Sequence, residues 1–273
     1  VDNFAAEAGG NITFNDADDV TIATVDELVG INSEGGNIII ETAAALTINE
    51  AVDAEQGTTT LTMMSDAAGD LTVAAAVRGT TVELFTTVEV DGDILINVDP
   101  DNFRGNLRIG NMNELGKVNI AAATVTAADG ITIQIADNGD IVLAAGTELN
   151  TLDGNGAVMI LDPVNATTPG AEGLTINAGS GNVMLFDLGN STALGAVDIN
   201  STGITTLFGM IQTMNGAISL DGATNVELTT GGTFNSVNGG AGANILLNGG
   251  AVDGARAVDI TAGTGIVTLG NMG

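Results

Sequence analysis

The chain of 273 residues contains no Cys, no Trp, no Tyr and no His. The missing Cys excludes disulfides, thiolate metal sites and thiol catalysis. Aromatic residues make up only 3% of the chain, against 44% hydrophobic residues. Its core must therefore be built from Val, Ile, Leu, Ala, Met and a few Phe. Aromatics usually fill irregular core space, so their scarcity points to a narrow, regular interior. Basic residues are almost missing too: 5 Lys and Arg face 34 Asp and Glu, a formal charge of −29. Nucleic acid is excluded as an expected partner, because phosphate binding needs clustered cations. An anionic membrane surface is excluded on the same ground. No run approaches the ~20 apolar residues of a spanning helix, and membrane insertion is not expected. Val1-Asp2-Asn3-Phe4 shows neither a start Met nor a signal-peptide pattern, so the chain is expected to begin inside a longer precursor.

One phrase recurs: Gly, then Asn or Asp, then an aliphatic residue that opens a strand-like run. It stands at Gly10-Asn11-Ile12, Gly36-Asn37-Ile38, Gly69-Asp70-Leu71, Gly92-Asp93-Ile94, Gly105-Asn106-Leu107, Gly139-Asp140-Ile141 and Gly181-Asn182-Val183. Short runs with apolar residues at every second position extend from Ile12-Thr13-Phe14 to Ile266-Val267-Thr268-Leu269. Period two marks a strand with one buried face. Every second run recurs after about 21 to 27 residues, along Ile12, Ile38, Leu61, Val82, Leu107, Ile131, Val158, Val183, Ile204, Val226, Ile245 and Ile266.

This beat predicts an all-β fold, a single-domain parallel β-helix of roughly 11 or 12 coils of about 23 residues. Right-handed crossovers are the default for parallel strands. At ~4.8 Å per coil the rod would be about 55 Å long. An antiparallel hairpin array is the rival; it would put Asp91-Gly92, Asp129-Gly130, Asp153-Gly154 or Asp221-Gly222 at its turns. The regular beat, without alternating hairpins and crossovers, argues against it. Loop insertions are expected near 98–104, 161–173 and 229–243 within one continuous solenoid spanning 1–273. Neither end shows the polar or helical cap of a free solenoid, so stacking on identical copies or on flanking repeats is expected.

The strings Gly10-Asn11-Ile12-Thr13-Phe14, Asp18-Asp19-Val20-Thr21-Ile22-Ala23-Thr24-Val25 and Gly130-Ile131-Thr132-Ile133-Gln134-Ile135 resemble the repeat region of filamentous-haemagglutinin-type bacterial surface proteins. That resemblance covers nearly the whole chain. It implies an exported β-helical adhesin at the bacterial cell surface, and it carries no functional residue over.

Three acidic groups are candidate Ca²⁺ ligands: Asp16, Asp18 and Asp19; Asp99 and Asp101 beside Asn102; Asp137 and Asp140 beside Asn138. Ca²⁺ takes six to eight oxygens, and each group offers two or three, which is a partial site; solvated turns are the simpler reading. No other cofactor is indicated. Arg78, Arg104, Arg108 and Lys117 fall within a few coils and form a candidate patch for a glycan, a cell-surface receptor or an acidic neighbour, unless each pairs with a nearby carboxylate. The expected role is a non-catalytic extracellular structural protein: a stalk, an adhesin segment or a filament subunit. The alternatives are a carbohydrate-binding or carbohydrate-cleaving β-helix and, from the outward Thr residues, an ice-binding solenoid.

Overall fold

The computed structural model describes residues 3–64, 69–86, 92–111, 116–136, 139–152, 155–237, 239–253 and 257–272. Among these there is no helix; the chain winds as a parallel β-solenoid with three faces. Each coil passes from a first face to a second and then a third. In the opening coil these are Asn3–Phe4, Ala6–Ala8 and Ile12–Asp16; in the next, Val20–Ile22, Ile31–Ser33 and Ile38–Thr42. Strands on the three faces pair in parallel with their counterparts in adjacent coils.

The third face can be followed in register through twelve residues: Ile12, Ile38, Thr59, Val82, Leu107, Ile131, Val158, Val183, Thr205, Val226, Val252 and Met272. The mean step is about 24 residues. Ten coils carry a strand on every face. In the fifth and ninth a single bridging residue, Asn102 on the second face or Leu188 on the first, replaces one strand.

The register corrects the expected column at four places. Thr59, not Leu61, stands between Ile38 and Val82, and Leu61 is the next inward residue of the same strand, paired with Ile40 and Leu84. Ile204 points outward and its neighbour Thr205 points in, fully buried; a shift of one residue exchanges the two faces of a strand. Ile245 pairs with Ile218 on the second face, and Ile266 precedes that face's last strand residue in register, Val267. The reason is that Ile245–Asp253 runs around a corner as one strand, so its first half belongs to the second face and its last residues to the third. The segments expected as insertions each contain a rung: Asn102, Val164–Ala166 and Gly232–Asn235. The extra length lies between the first and second faces, at 167–173 and 236–244.

The interior is one continuous apolar column. Ile38, Ile40, Leu46, Ile48, Leu61, Leu71, Leu84, Ile94 and Leu107 are all fully buried. Each such side chain contributes about 1.5–3 kcal/mol through removal from water. Two aromatics occupy the first coil's interior, Phe4 stacked on Phe14 with centroids 4.0 Å apart. In the last coil the residues at inward register positions, Val267 and Leu269, are 41% and 42% exposed.

One antiparallel pairing departs from the plan. Thr24–Val25 pairs with Leu28–Val29 around Asp26 and Glu27, both at positive φ. This hairpin lies between the first and second faces of the second coil and packs toward Asn3–Phe4 and Ala6–Ala8. Positive φ is uncommon for a residue other than Gly, more so for Glu than for Asp, and neither Gly nor Pro lies between the paired residues.

Candidate functional site: stacked corners and outward columns

The recurring phrase sits at corners, and it sorts into two sets. Gly10-Asn11, Gly36-Asn37, Gly105-Asn106 and Gly181-Asn182 open third-face strands. Gly69-Asp70, Gly92-Asp93 and Gly139-Asp140 open first-face strands. The amide and the acid therefore occupy different edges of the rod.

Both edges use one bond pattern. Asn37 N–H donates to Asn11 Oδ1 at 2.9 Å, Thr58 N–H to Asn37 Oδ1 at 3.0 Å, and Ile204 N–H to Asn182 Oδ1 at 2.9 Å. On the acidic edge, Ala45 N–H donates to Asp19 at 3.0 Å, Asp93 N–H to Asp70 at 3.0 Å, Lys117 N–H to Asp93 at 2.8 Å and Met210 N–H to Asp187 at 2.8 Å. Each side chain caps the backbone of the coil that follows, at a corner where the strand ladder is interrupted. The glycines permit the close approach. A Cβ on Gly36 or on Gly92 would fall well under 3.0 Å from the backbone of Gly10 or Gly69.

Buried polar residues complete the corners from inside. Ser33 Oγ donates to the carbonyls of Gly10 and Gly36 at 2.9 and 2.8 Å, Ser201 to Gly181 at 2.7 Å, and Asn111 Nδ2 to Gly92 and Lys117 at 3.1 Å. The signal for these residues is a polar side chain at an inward position just before a turn. Thr205 is the exception among the described residues: its hydroxyl is buried and has no partner.

Among the candidate Ca²⁺ ligands, the carboxylates of Asp16, Asp19, Asp99, Asp101 and Asp140 bond to other groups of the chain. Asp16 accepts from Asp18 N–H at 2.9 Å, and this bond holds its carboxyl below the ordinary value. Asp99 accepts from the N–H groups of Asp101 and Thr126 at 2.9 and 2.8 Å and from Thr126 Oγ1 at 2.7 Å. Asp101 pairs with Arg78. Asp140 accepts from Asn165 Nδ2 at 3.3 Å, while Asp137 lies outside the described residues. Among the described residues no three Asp or Glu side chains converge as metal ligands.

The basic residues do not form one surface. Arg78 lies on the second face and Arg104 at the corner after it; they pair with Asp101 and Asp53 and flank the exposed Phe103 ring, each 5.3 Å from its centroid. Arg108 is on the third face, 3.6 Å from Glu83. Lys117 stands in the acidic corner column, in register with Asp140. The outward Thr residues form a short column on the first face, Thr21, Thr47 and Thr72, which Leu95 then ends.

No protein-family model, no curated protein and no solved structure matches this chain.

Proposed function

We propose that this chain is a non-catalytic structural β-solenoid: a stalk or adhesin segment, or a filament subunit, of a bacterial surface. The observation that carries the reading is the unbroken register from Ile12 to Met272, reinforced at the corners by side chains that cap the next coil. Such an array resists bending because every coil is hydrogen-bonded to its neighbours around its circumference. Outside a cell, the five Lys and Arg would give trypsin-like proteases few sites, most of them on ordered strands or in ion pairs. A charge of −29 would keep rods apart at low salt. The partners proposed are further coils, whether from a second copy or from flanking repeats.

Electron microscopy of the purified chain tests the reading. The expected particle is a straight rod about 55 Å long. Rods joined end to end would identify a filament subunit, and compact or irregular particles would overturn the rod altogether.

A further inference from the structure

On the third face the strands Thr81–Thr86, Asn106–Asn111 and Gly130–Ile135 run side by side in register. Their outward positions form two axial columns. One reads Glu83, Arg108, Thr132, Met159, and the other Phe85, Gly110, Gln134. Gly110 supplies no side chain where its neighbours supply a ring and an amide. The rungs of Phe85 and Gln134 are two strand spacings apart, roughly 9.6 Å, and between them lies a cavity of about 260 Å³. Phe85, Arg108, Thr132, Gln134 and Met159 line it.

The lining has an apolar group at each end, the Phe85 ring on one rung and the Met159 thioether three rungs on in the other column, with the hydrogen-bonding side chains of Arg108, Thr132 and Gln134 on the rungs between. The guanidinium, the hydroxyl and the amide provide donors and acceptors together. Such a set suits a ligand that carries hydroxyls around an apolar ring face, which is a saccharide. Charge then selects among saccharides. Arg108 is the site's one cation, it already faces Glu83 at 3.6 Å, and the chain carries −29, so an anionic sugar is disfavoured. Size limits the ligand further, because the cavity is below the ~300 Å³ at which drug-sized pockets begin.

We infer that this notch binds one neutral pyranose ring, either free or as a residue of a glycan. The site rests on the rod reading only in making one face of the rod adhesive. The expected dissociation constant is about 1 mM, from the ligand efficiency of a dozen-atom ligand.

The test uses the full chain and saturation-transfer NMR, with titrations of the methyl pyranosides of glucose, galactose and mannose to about 20 mM. Glucuronate is the acidic comparison. At least one neutral pyranoside should bind, and Gly110→Val, which fills the slot, should abolish binding. Phe85→Leu should weaken it about tenfold by removing the ring while the thermal melt stays cooperative, which keeps the test decisive if Gly110→Val folds poorly. No signal from any neutral sugar, binding of glucuronate alone, or unchanged binding in a folded Gly110→Val or Phe85→Leu variant would each overturn the site. Failure of the rod reading would appear separately, in the micrographs.

Discussion

The edge opened by Gly-Asn and the edge opened by Gly-Asp solve one mechanical problem with different charge. At both, a glycine lets two coils approach and a side-chain oxygen accepts the next coil's N–H. The acceptor alone does not explain the sorting, since Asn and Asp each offer one Oδ1 to that bond. What differs is the surroundings. Asn11, Asn37, Asn106, Asn182 and Asn225 line a neutral edge. Asp19, Asp70, Asp93, Asp140 and Asp187 line an edge where like charges recur, with Lys117 between Asp93 and Asp140. The corner between the first and second faces is different again, with Ala51, Ala76, Gly146, Gly173, Ala196 and Ala217 just before the strands. A corner thus needs a small residue for approach and an acceptor where the ladder breaks, while charge is free to differ from edge to edge.

The equivalence of the two edges fails most visibly if their glycines differ in cost. Gly92→Val and Gly36→Val should each destabilise by about 3 kcal/mol or more, because the new side chain meets backbone that cannot move without breaking the ladder. Urea unfolding followed by circular dichroism measures this, and a loss under 1 kcal/mol at either site would show that the corners are loose.

Next in size are the caps. Asn37→Ala should cost about 1 kcal/mol and Asp93→Ala about the same or somewhat more at high salt, since each leaves a corner N–H without its acceptor. Asp70→Asn keeps the acceptor and removes a charge next to Asp93, the other neighbour in the column being the neutral Ala45. Its stability should lie within about 0.5 kcal/mol of the parent and should gain on the parent as ionic strength falls. An equal response of Asn37→Asp and Asp70→Asn to salt would remove the distinction between the edges.

The wall between the two edges offers a stabilising change. Thr205→Val keeps the shape and removes the unpartnered buried hydroxyl, so it should stabilise by about 1 kcal/mol. A destabilised variant would mean that the hydroxyl has a partner after all. The smallest effect is expected outside: Thr132→Ser, on the outward column, should change stability by no more than about 0.5 kcal/mol.

Much of the fold was legible because an interior strand position tolerates little variation. Val, Ile and Leu at every second position, with Gly at the bends, mark the faces and their spacing. The errors fall where that rule is relaxed. Thr205 is a polar residue pointing inward beside the outward Ile204, so an aliphatic count chose the wrong face. Ile245 looks like the start of a repeat because Ile245–Asp253 turns a corner without a break. The hairpin at Asp26-Glu27 gives no turn signal of the Gly or Asn kind. The candidate sites were the least legible part. Sequence proximity grouped Arg104, Arg108 and Lys117, but 14 residues are more than half of a coil of about 24, enough to carry the chain from one face to another. The notch at Gly110 was invisible for the same reason: Phe85, Gly110 and Gln134 are about a coil apart in sequence and adjacent in space.

By itself the sequence determined that this chain is a parallel solenoid without thiol or imidazole chemistry, with an aliphatic interior and an acidic exterior. Composition and period suffice for that, because each coil repeats the same local demand for burial and bending. Only the tertiary structure decided which residues share an edge, that Gly-Asn and Gly-Asp belong to separate corners, and that Asp16, Asp19 and Asp99 accept from the chain's own backbone. Those facts depend on register, and register is set by how many residues each corner consumes, a quantity that varies from coil to coil while the local pattern stays the same.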